Sequence, residues 1–423
     1  MNRLNLLILA ILAAGHCELL AALLNRLHAR RIQARWLRHI RHVEDACMAA
    51  FPFVVLWSIG LRGPRLLIDG SWSDLHPAWI AYLSLCAIGT VSLAVSTLRW
   101  WTRRPPPLLA ENHSTTIDVA ERLGRPPVGV GPFRFLTRLP GNESFLIEVS
   151  DKSYTLPRLP VEWDGLSILH VTDLHYNGTI DKAYFEEVFA LAAEMPADLV
   201  VFTGDLLDEP HLAEWIPDTL GKLDAPLGKF FVLGNHDWYL DPAPIRRALD
   251  ELGWIDVSSR TETIAHLGRT LAICGSERPW MGTQPDDLAA IGGDAFRLFL
   301  SHTPDNIGWA KRNGVDLMLS GHNHGGQVVL PILGPVFSPS KHGVRYAGGA
   351  FYEPPTLLYV SRGVSGDHPL RWNCKPELTR LILRAPTTTV FESQGVCDAA
   401  RIIQGAATAD VPSPPALRGR GLG

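Results

Sequence analysis

Gly321-His-Asn-His-Gly-Gly-Gln327 closes an apolar run, Val315-Asp-Leu-Met-Leu-Ser320. Two histidines one residue apart, fenced by glycine at the end of what reads as a strand, need something to face in common. Along an extended segment residues i and i+2 point to the same side, so His322 and His324 are expected to reach one centre. Asp173 and His175, at the end of an earlier apolar run, have the same spacing and the same expectation.

Working outward, short apolar runs recur at Leu166–Val171, Asp198–Phe202, Lys229–Leu233, Phe296–Leu300 and Val315–Leu319. Most are followed by a helix-length amphipathic segment. Asp181–Met195, for example, puts Tyr184, Val188, Phe189, Ala192 and Met195 on one face at helical spacing. That alternation predicts βαβ units and a largely parallel sheet, in which ligands sit beyond the carboxyl ends of the strands. Those ends read Thr172-Asp-Leu-His175, Phe202-Thr-Gly-Asp205, Leu233-Gly-Asn-His-Asp237, Leu300-Ser-His-Thr303 and Ser320-Gly-His-Asn-His324. Every strand delivers Asp, His or Asn at its tip.

Carboxylate and imidazole are suitable ligands for Mn, Fe, Co or Zn. A single tetrahedral zinc needs four ligands. The seven candidates here, Asp173, His175, Asp205, Asn235, His302, His322 and His324, suit two divalent ions sharing a carboxylate. Two metals about 3.5–4 Å apart generate a hydroxide and clamp the oxygens of an in-line phosphoryl displacement. Glycines before Asp205, Asn235 and His322 let the backbone turn sharply with no Cβ in the way.

The ordered series Asp173-x-His175, Gly204-Asp205, Gly234-Asn-His-Asp237, Ser301-His302 and Gly321-His-Asn-His324 resembles the calcineurin-like metallophosphoesterases. Gly325-Gly-Gln327, Leu358-Tyr-Val-Ser-Arg-Gly363 and Arg371 with Pro376-Glu377 look like their bacterial membrane-associated branch. The resemblance covers about residues 145–385 and implies a four-layer αββα sandwich. It further implies that Asp173, His175 and His324 hold one metal, Asn235, His302 and His322 the other, and that Asp205 bridges them. By the same resemblance His236 stabilises the transition state or protonates the leaving oxygen, Asp237 orients His236, and the nucleophile is a metal-bridging water. Asn323, where many relatives carry Thr, flanks the metals without binding them.

Each residue also has a plainer reading. A lone histidine at a strand end is more often a hydrogen-bonded structural group, and a lone aspartate a turn former or helix cap; the ordered set carries the weight. Asp208 reads as a cap or surface acid, and His170 and His211 as ordinary polar residues. Trp238 and Tyr239 either pack in the core or wall the pocket.

The first hundred residues read as membrane. Leu4–Leu24 and Pro77–Leu98 are long enough to span a bilayer as helices, and Ala46–Leu61, short and holding Pro52, is the weakest of three. No small-x-small cleavage site follows the first, and His16 before Cys17 excludes a lipoprotein signal. Glu18 reads as a bundle-facing acid near His16. Asn25–Asp45 carries six arginines and three histidines, and Arg99-Trp-Trp-Thr-Arg-Arg104 is a basic, aromatic anchor. Basic short loops stay cytoplasmic, so three spans put the catalytic body on the cytoplasmic side of the inner membrane. Loss of the Ala46–Leu61 crossing would invert it.

Residues 1–104 hold twelve arginines, no lysine and five acids, a net of +7 in a chain of −4, leaving −11 for residues 105–423. An acidic body disfavours nucleic acid, where basic residues supply most of the affinity. Six scattered cysteines without a CxxC pair read as small apolar residues in a reducing compartment. The expected organisation is a membrane region (1–104), a linker (105–144), the catalytic domain (145–385) and a mobile tail (386–423). The expected function is a membrane-anchored dinuclear phosphoesterase on a lipid-linked or amphiphilic substrate. A pyrophosphatase of UDP-2,3-diacylglucosamine in lipid A synthesis and a non-catalytic membrane scaffold are the alternatives.

Overall fold

The computed structural model describes residues 2–386; the expected tail (386–423), with Cys397, lies outside the described residues from 387 onward. Three helices come first, α1 (Arg3–His28), α2 (Ala34–Val55) and α3 (Pro77–Trp101). A π-helical segment, Leu56–Leu61, prolongs α2, so the second helix runs over 28 residues. All three are long and apolar enough to cross a membrane. The short second segment read from sequence is therefore only the far half of a longer helix. Its near half escaped because arginine and histidine dilute the hydropathy without disfavouring helix. Pro52 is tolerated within it, as in spanning helices generally.

Two glycines let α1 and α3 cross closely. A Cβ on Gly89 would lie 2.2 Å from the Gly15 carbonyl oxygen, and one on Gly15 would lie 1.9 Å from that of Cys86. Where lipid supplies no hydrophobic drive between helices, such small residues allow the backbone approach that holds them.

Two mixed sheets form the body. The first runs in the order β1 (Leu109–Asp118), β2 (Leu146–Thr155), β15 (Glu377–Arg384), β3 (Ser167–Val171), β4 (Leu199–Phe202), β5 (Lys229–Phe231) and β6 (Trp254–Asp256). The second runs β13 (Gly349–Glu353), β14 (Thr356–Val360), β10 (Leu317–Ser320), β9 (Phe296–Ser301), β8 (Arg269–Ser276) and β7 (Thr261–His266). A small ribbon of β11 (Val329–Leu330) and β12 (Gly334–Pro335) stands apart. The five chemistry-bearing strands do not share one sheet, as the alternation implied: β3, β4 and β5 lie parallel in the first, β9 and β10 in the second.

Side-chain alternation explains the layering. On β4, Leu199 and Val201 turn inward to meet Leu298, Leu319 and Tyr359 between the sheets, while Val200 and Phe202 turn outward. The outward set packs beneath α5 (Lys182–Ala193) and α7 (Pro242–Glu251). On the far side, Phe299, Met318 and Leu358 pack under α8 (Ile307–Arg312). The result is a four-layer αββα sandwich, and each buried leucine of the middle layer contributes about 1.5–3 kcal/mol. Asp181 caps α5 by accepting the Tyr184 N–H at 3.3 Å, and of the expected face Tyr184, Val188, Phe189 and Ala192 are buried while Met195, beyond the helix, is half-buried.

The stretch 105–144 is not simply a linker. Strand β1 pairs antiparallel along β2, Thr115 opposite Val149, and α4 (Val119–Arg122) follows it. An edge strand exposed over most of its length carries no apolar alternation, so nothing in Glu111-Asn-His-Ser-Thr-Thr116 announced it.

Candidate metal centre

Asp173 and His175 follow β3, Asp205 follows β4, Asn235 opens the short helix α6 (Asn235–Tyr239) after β5, His302 follows β9, and His322 and His324 follow β10. All seven converge. They do not do so along extended pleats, as the i, i+2 spacing suggested. Asp173, His175, Asp205, His322 and His324 have φ of 57°, 47°, 58°, 70° and 50°, so the chain doubles back at each. A left-handed non-glycine residue costs about 1–3 kcal/mol and persists only where its surroundings impose it. Gly321 is part of that imposition, since a Cβ there would lie 2.2 Å from Asp173 Oδ2. A Cβ on Gly234 would lie 2.2 Å from Asp205 Oδ1.

Two clusters share Asp205. Ligand atoms of Asp173, His175, Asp205 and His324 lie within 4.8 Å of one another, as do those of Asp205, His302 and His322. Proton positions make these clusters suited to cations. His302 Nδ1–H donates to the Thr203 carbonyl at 2.7 Å, leaving an Nε2 lone pair. That lone pair faces Asp205 Oδ2 at 3.1 Å, Asn235 Oδ1 at 3.2 Å and His322 Nδ1 at 3.1 Å. Likewise His175 Nδ1 donates to Asp208, which turns its Nε2 toward His324 Nε2 at 3.2 Å and Asp205 Oδ2 at 3.6 Å. Acceptors gathered this closely in a buried site require a proton or a cation among them.

The electrostatics report the same crowding. Burial alone would lower His302, but the Asp205 carboxylate outweighs it and takes the imidazole up to about 9, so that without a cation a proton fills the place on Nε2 that a metal would take. Burial, aided by neighbouring cationic groups, holds His322 and His324 well below the ordinary histidine range. Neutral imidazole is the form that binds metal. The residues present therefore fit two divalent ions, with Asp205 Oδ2 between the clusters.

The orienting role expected of Asp237 needs correction. Asp237 accepts the backbone N–H groups of Asp205, Leu206, Leu207 and Gly234 at 2.9–3.2 Å, and so ties the loop after β4 to the loop after β5. The carboxylate on His236 is that of Asp208, at 2.5 Å from Nδ1. Its other oxygen holds His175 Nδ1 at 3.2 Å. Asp208 is therefore neither a helix cap nor a surface acid; one side chain orients both an expected metal ligand and the expected proton donor. Gly204-Asp-Leu-Leu-Asp208 was the available signal, hidden because the left-handed turn at Asp205 redirects the chain. Asp208→Asn should weaken metal binding or turnover by about 10–100-fold, the usual cost of losing a ligand's supporting partner. Metal titration and steady-state rates on the same preparation would check it.

His236 is the most open of these groups, with a side chain 25% exposed against 0–1% for His175, Asp205 and His302. Burial would lower it, yet Asp208 and Asp205 raise it well above the ordinary value. The mouth of the centre thus carries the imidazole whose surroundings favour its protonated form. Tyr239 stands at 5.5 Å from that ring. Arg31, from the turn between α1 and α2, lies 5.4 Å from the centre of the Trp238 ring. The N-terminal helical region therefore touches the helix that carries His236.

Sequence reasoning gave no role to Arg371 or Trp280. Arg371 is buried, and its guanidinium donates to the carbonyls of His324 at 2.8 Å and Arg362 at 2.9 Å, fixing the turn that presents His324. Trp280 sets its ring 4.9 Å from His322 and 5.7 Å from His302. Asn323 donates to the Tyr346 carbonyl at 2.8 Å, and buried His170 bonds Thr203 at 2.8 Å; both are structural.

Residues 166–326 match the family model described as calcineurin-like phosphoesterase. An uncharacterised metallophosphoesterase of Bacillus subtilis, YkuE, is 32% identical over 61% of this chain and 90% of its own length. The UDP-2,3-diacylglucosamine pyrophosphatase LpxG of Chlamydia trachomatis is 27% identical over 56% of this chain and 89% of its own. A transmembrane protein with a metallophosphoesterase domain from Danio rerio is 24% identical and extends over 82% of this chain and 85% of its own.

Proposed function

This chain belongs to the calcineurin-like phosphoesterases, and we propose that it is a membrane-anchored dinuclear hydrolase of an amphiphilic, lipid-linked phosphoester or pyrophosphate. The observation that carries the lipid-linked reading is the contact of Arg31 with Trp238, which sets the open, His236 side of the centre beside the membrane region. A substrate held by its acyl chains would present its phosphate there. The resemblance to LpxG, named as a pyrophosphatase of UDP-2,3-diacylglucosamine, supports a nucleotide-sugar lipid as the narrower choice.

Asp173, His175 and His324 would hold one ion, Asn235, His302 and His322 the other, with Asp205 shared. When bound, the ions supply charge that activates water and neutralises phosphate oxygens. The chain's own groups do the rest. Asp208 keeps His236 Nδ1 protonated and aims the ring, leaving Nε2 to hand a proton to the leaving oxygen. Asp237 keeps the loops of Asp205 and Asn235 in register through four backbone bonds. Arg371 fixes His324.

The end of α1, the turn leading into α2 and the segment closing α3 meet the body, and the chain there carries Arg26, Arg30, Arg31, Arg35, Arg99, Arg103 and Arg104. By the positive-inside rule this supports three crossings with a cytoplasmic catalytic domain. A C-terminal reporter fusion tests the topology. For the substrate, purified full-length protein loaded with defined metals should cleave a diacylated nucleotide-sugar pyrophosphate at least tenfold faster than its deacylated counterpart, each acyl chain adding about 0.8 kcal/mol per buried CH₂ to binding. Equal rates would remove the lipid-linked reading. Absence of turnover with both metals bound would favour the scaffold instead.

A further inference from the structure

A cavity of about 900 Å³, within the size range of small-molecule sites, lies between α1, α3 and the catalytic body, apart from the metal centre. Its wall reaches from Glu18 on α1 and Val95 on α3, within the spanning length, down to Lys152 on β2. Two interlocks frame it. Asn25 Oδ1 accepts the Ser338 N–H at 3.0 Å, and Trp101 Nε1–H donates to the Ile332 carbonyl at 2.9 Å. The Trp100 ring packs so tightly on the ribbon turn that a Cβ on Gly334 would lie 2.7 Å from it.

The charges on the wall do not cancel. Lys152 and Arg362 are matched by Glu377 at 3.6 Å and 2.9 Å, and Arg345 by Glu353. Arg26, Arg99 and Arg103 are in no ion pair among the described residues. Arg26 bonds the Ala22 carbonyl of its own helix, and Arg103 bonds the carbonyls of Gly348 and Ala350 with its guanidinium 4.0 Å from the centre of the Phe351 ring, so neither meets an acid among the described residues. Glu18, bonded by Ser92 at 3.0 Å, is the one acid on the membrane side of the wall. Three guanidiniums thus gather where two spanning helices leave the bilayer, below apolar wall from Leu93, Val95 and Trp100.

Guanidinium matches phosphate in charge and in bidentate geometry, and basic pockets between spanning helices take lipid headgroups. We propose that this cavity is a binding site for the phosphate of a membrane amphiphile, with its acyl portion along α3 and its headgroup on Arg26, Arg99 and Arg103. The site is independent of the substrate reading above, because none of the seven expected metal ligands lines it. Gly325, next to His324, forms part of the partition between the two.

The test uses the full chain in detergent, with binding read by native mass spectrometry and no turnover involved. Phosphatidylglycerol should be retained in preference to diacylglycerol, which lacks the phosphate. Arg26→Gln with Arg99→Gln, both exposed positions, should weaken that retention roughly tenfold or more, since bonds to charged groups are the stronger ones. Ser96→Trp, which fills the cavity from α3, should do the same by sterics. Glycerol phosphate added in excess distinguishes the sources: no displacement identifies the membrane lipid, whereas full displacement identifies a soluble phosphate ligand at the same residues. Equal retention of the two lipids, or retention unchanged in both variants with metal content intact, would overturn the proposal.

Discussion

Asp205→Asn should lower bound metal from the two ions per chain proposed above to one or none, and turnover should fall by more than the about 10²–10⁴-fold that losing a proton donor costs. The reasoning is geometric. Asp205 is the one residue common to both ligand clusters. Its Oδ1 accepts the His236 N–H at 2.9 Å, while its Oδ2 faces His302 at 3.1 Å and His175 at 3.6 Å. An asparagine keeps the shape and the bond to His236 but removes the charge that two cations would share. Its amide would also have to turn either a hydrogen pair or a neutral oxygen toward two imidazoles. Elemental analysis of the purified variant, set beside its rate on any competent phosphodiester, checks the prediction. Retention of both ions would mean that the carboxylate is not shared.

The converging residues were legible because each strand ended on a metal-ligating side chain, and the order of five such ends is hard to reach by accident. The four-layer division was expected only through the family resemblance and not from the residue pattern. Val200 and Val201 are equally apolar, and only their alternation between two cores reveals a second sheet stacked on the first. The edge strand β1 was invisible for the complementary reason, having no buried face to encode. At the site, sequence spacing named the groups and misjudged their mechanics. Asp237 follows His236 directly, yet neighbours in the first turn of a helix point apart, and its carboxylate turns back to four backbone N–H groups. Asp208, 28 residues upstream, supplies the partner instead. Arg371 was noticed only as part of a motif, because its work lies in bonds to carbonyls that no side-chain pattern reports.

His236→Ala should leave metal content at the wild-type level and reduce kcat by about 10²–10⁴-fold, the span of a positioned general acid. Metal should survive because His236 belongs to neither of the two clusters that share Asp205, grouping instead with Asp208 and His175. Asp208, freed of His236, still holds His175 Nδ1 at 3.2 Å. KM should change little, since a proton handed over only as the bond breaks stabilises the transition state and not the bound substrate. The leaving group gives a sharper readout. A nitrophenyl ester departs without a proton and should lose far less than an alkyl ester in this variant, whereas Asp205→Asn should harm both alike. Asp208→Asn added to His236→Ala should cost little more turnover than His236→Ala alone, apart from any metal lost through His175, because residues acting through one another are not additive. A variant that loses its ions would place His236 among the ligands and Asp208 as the support of a metal site alone.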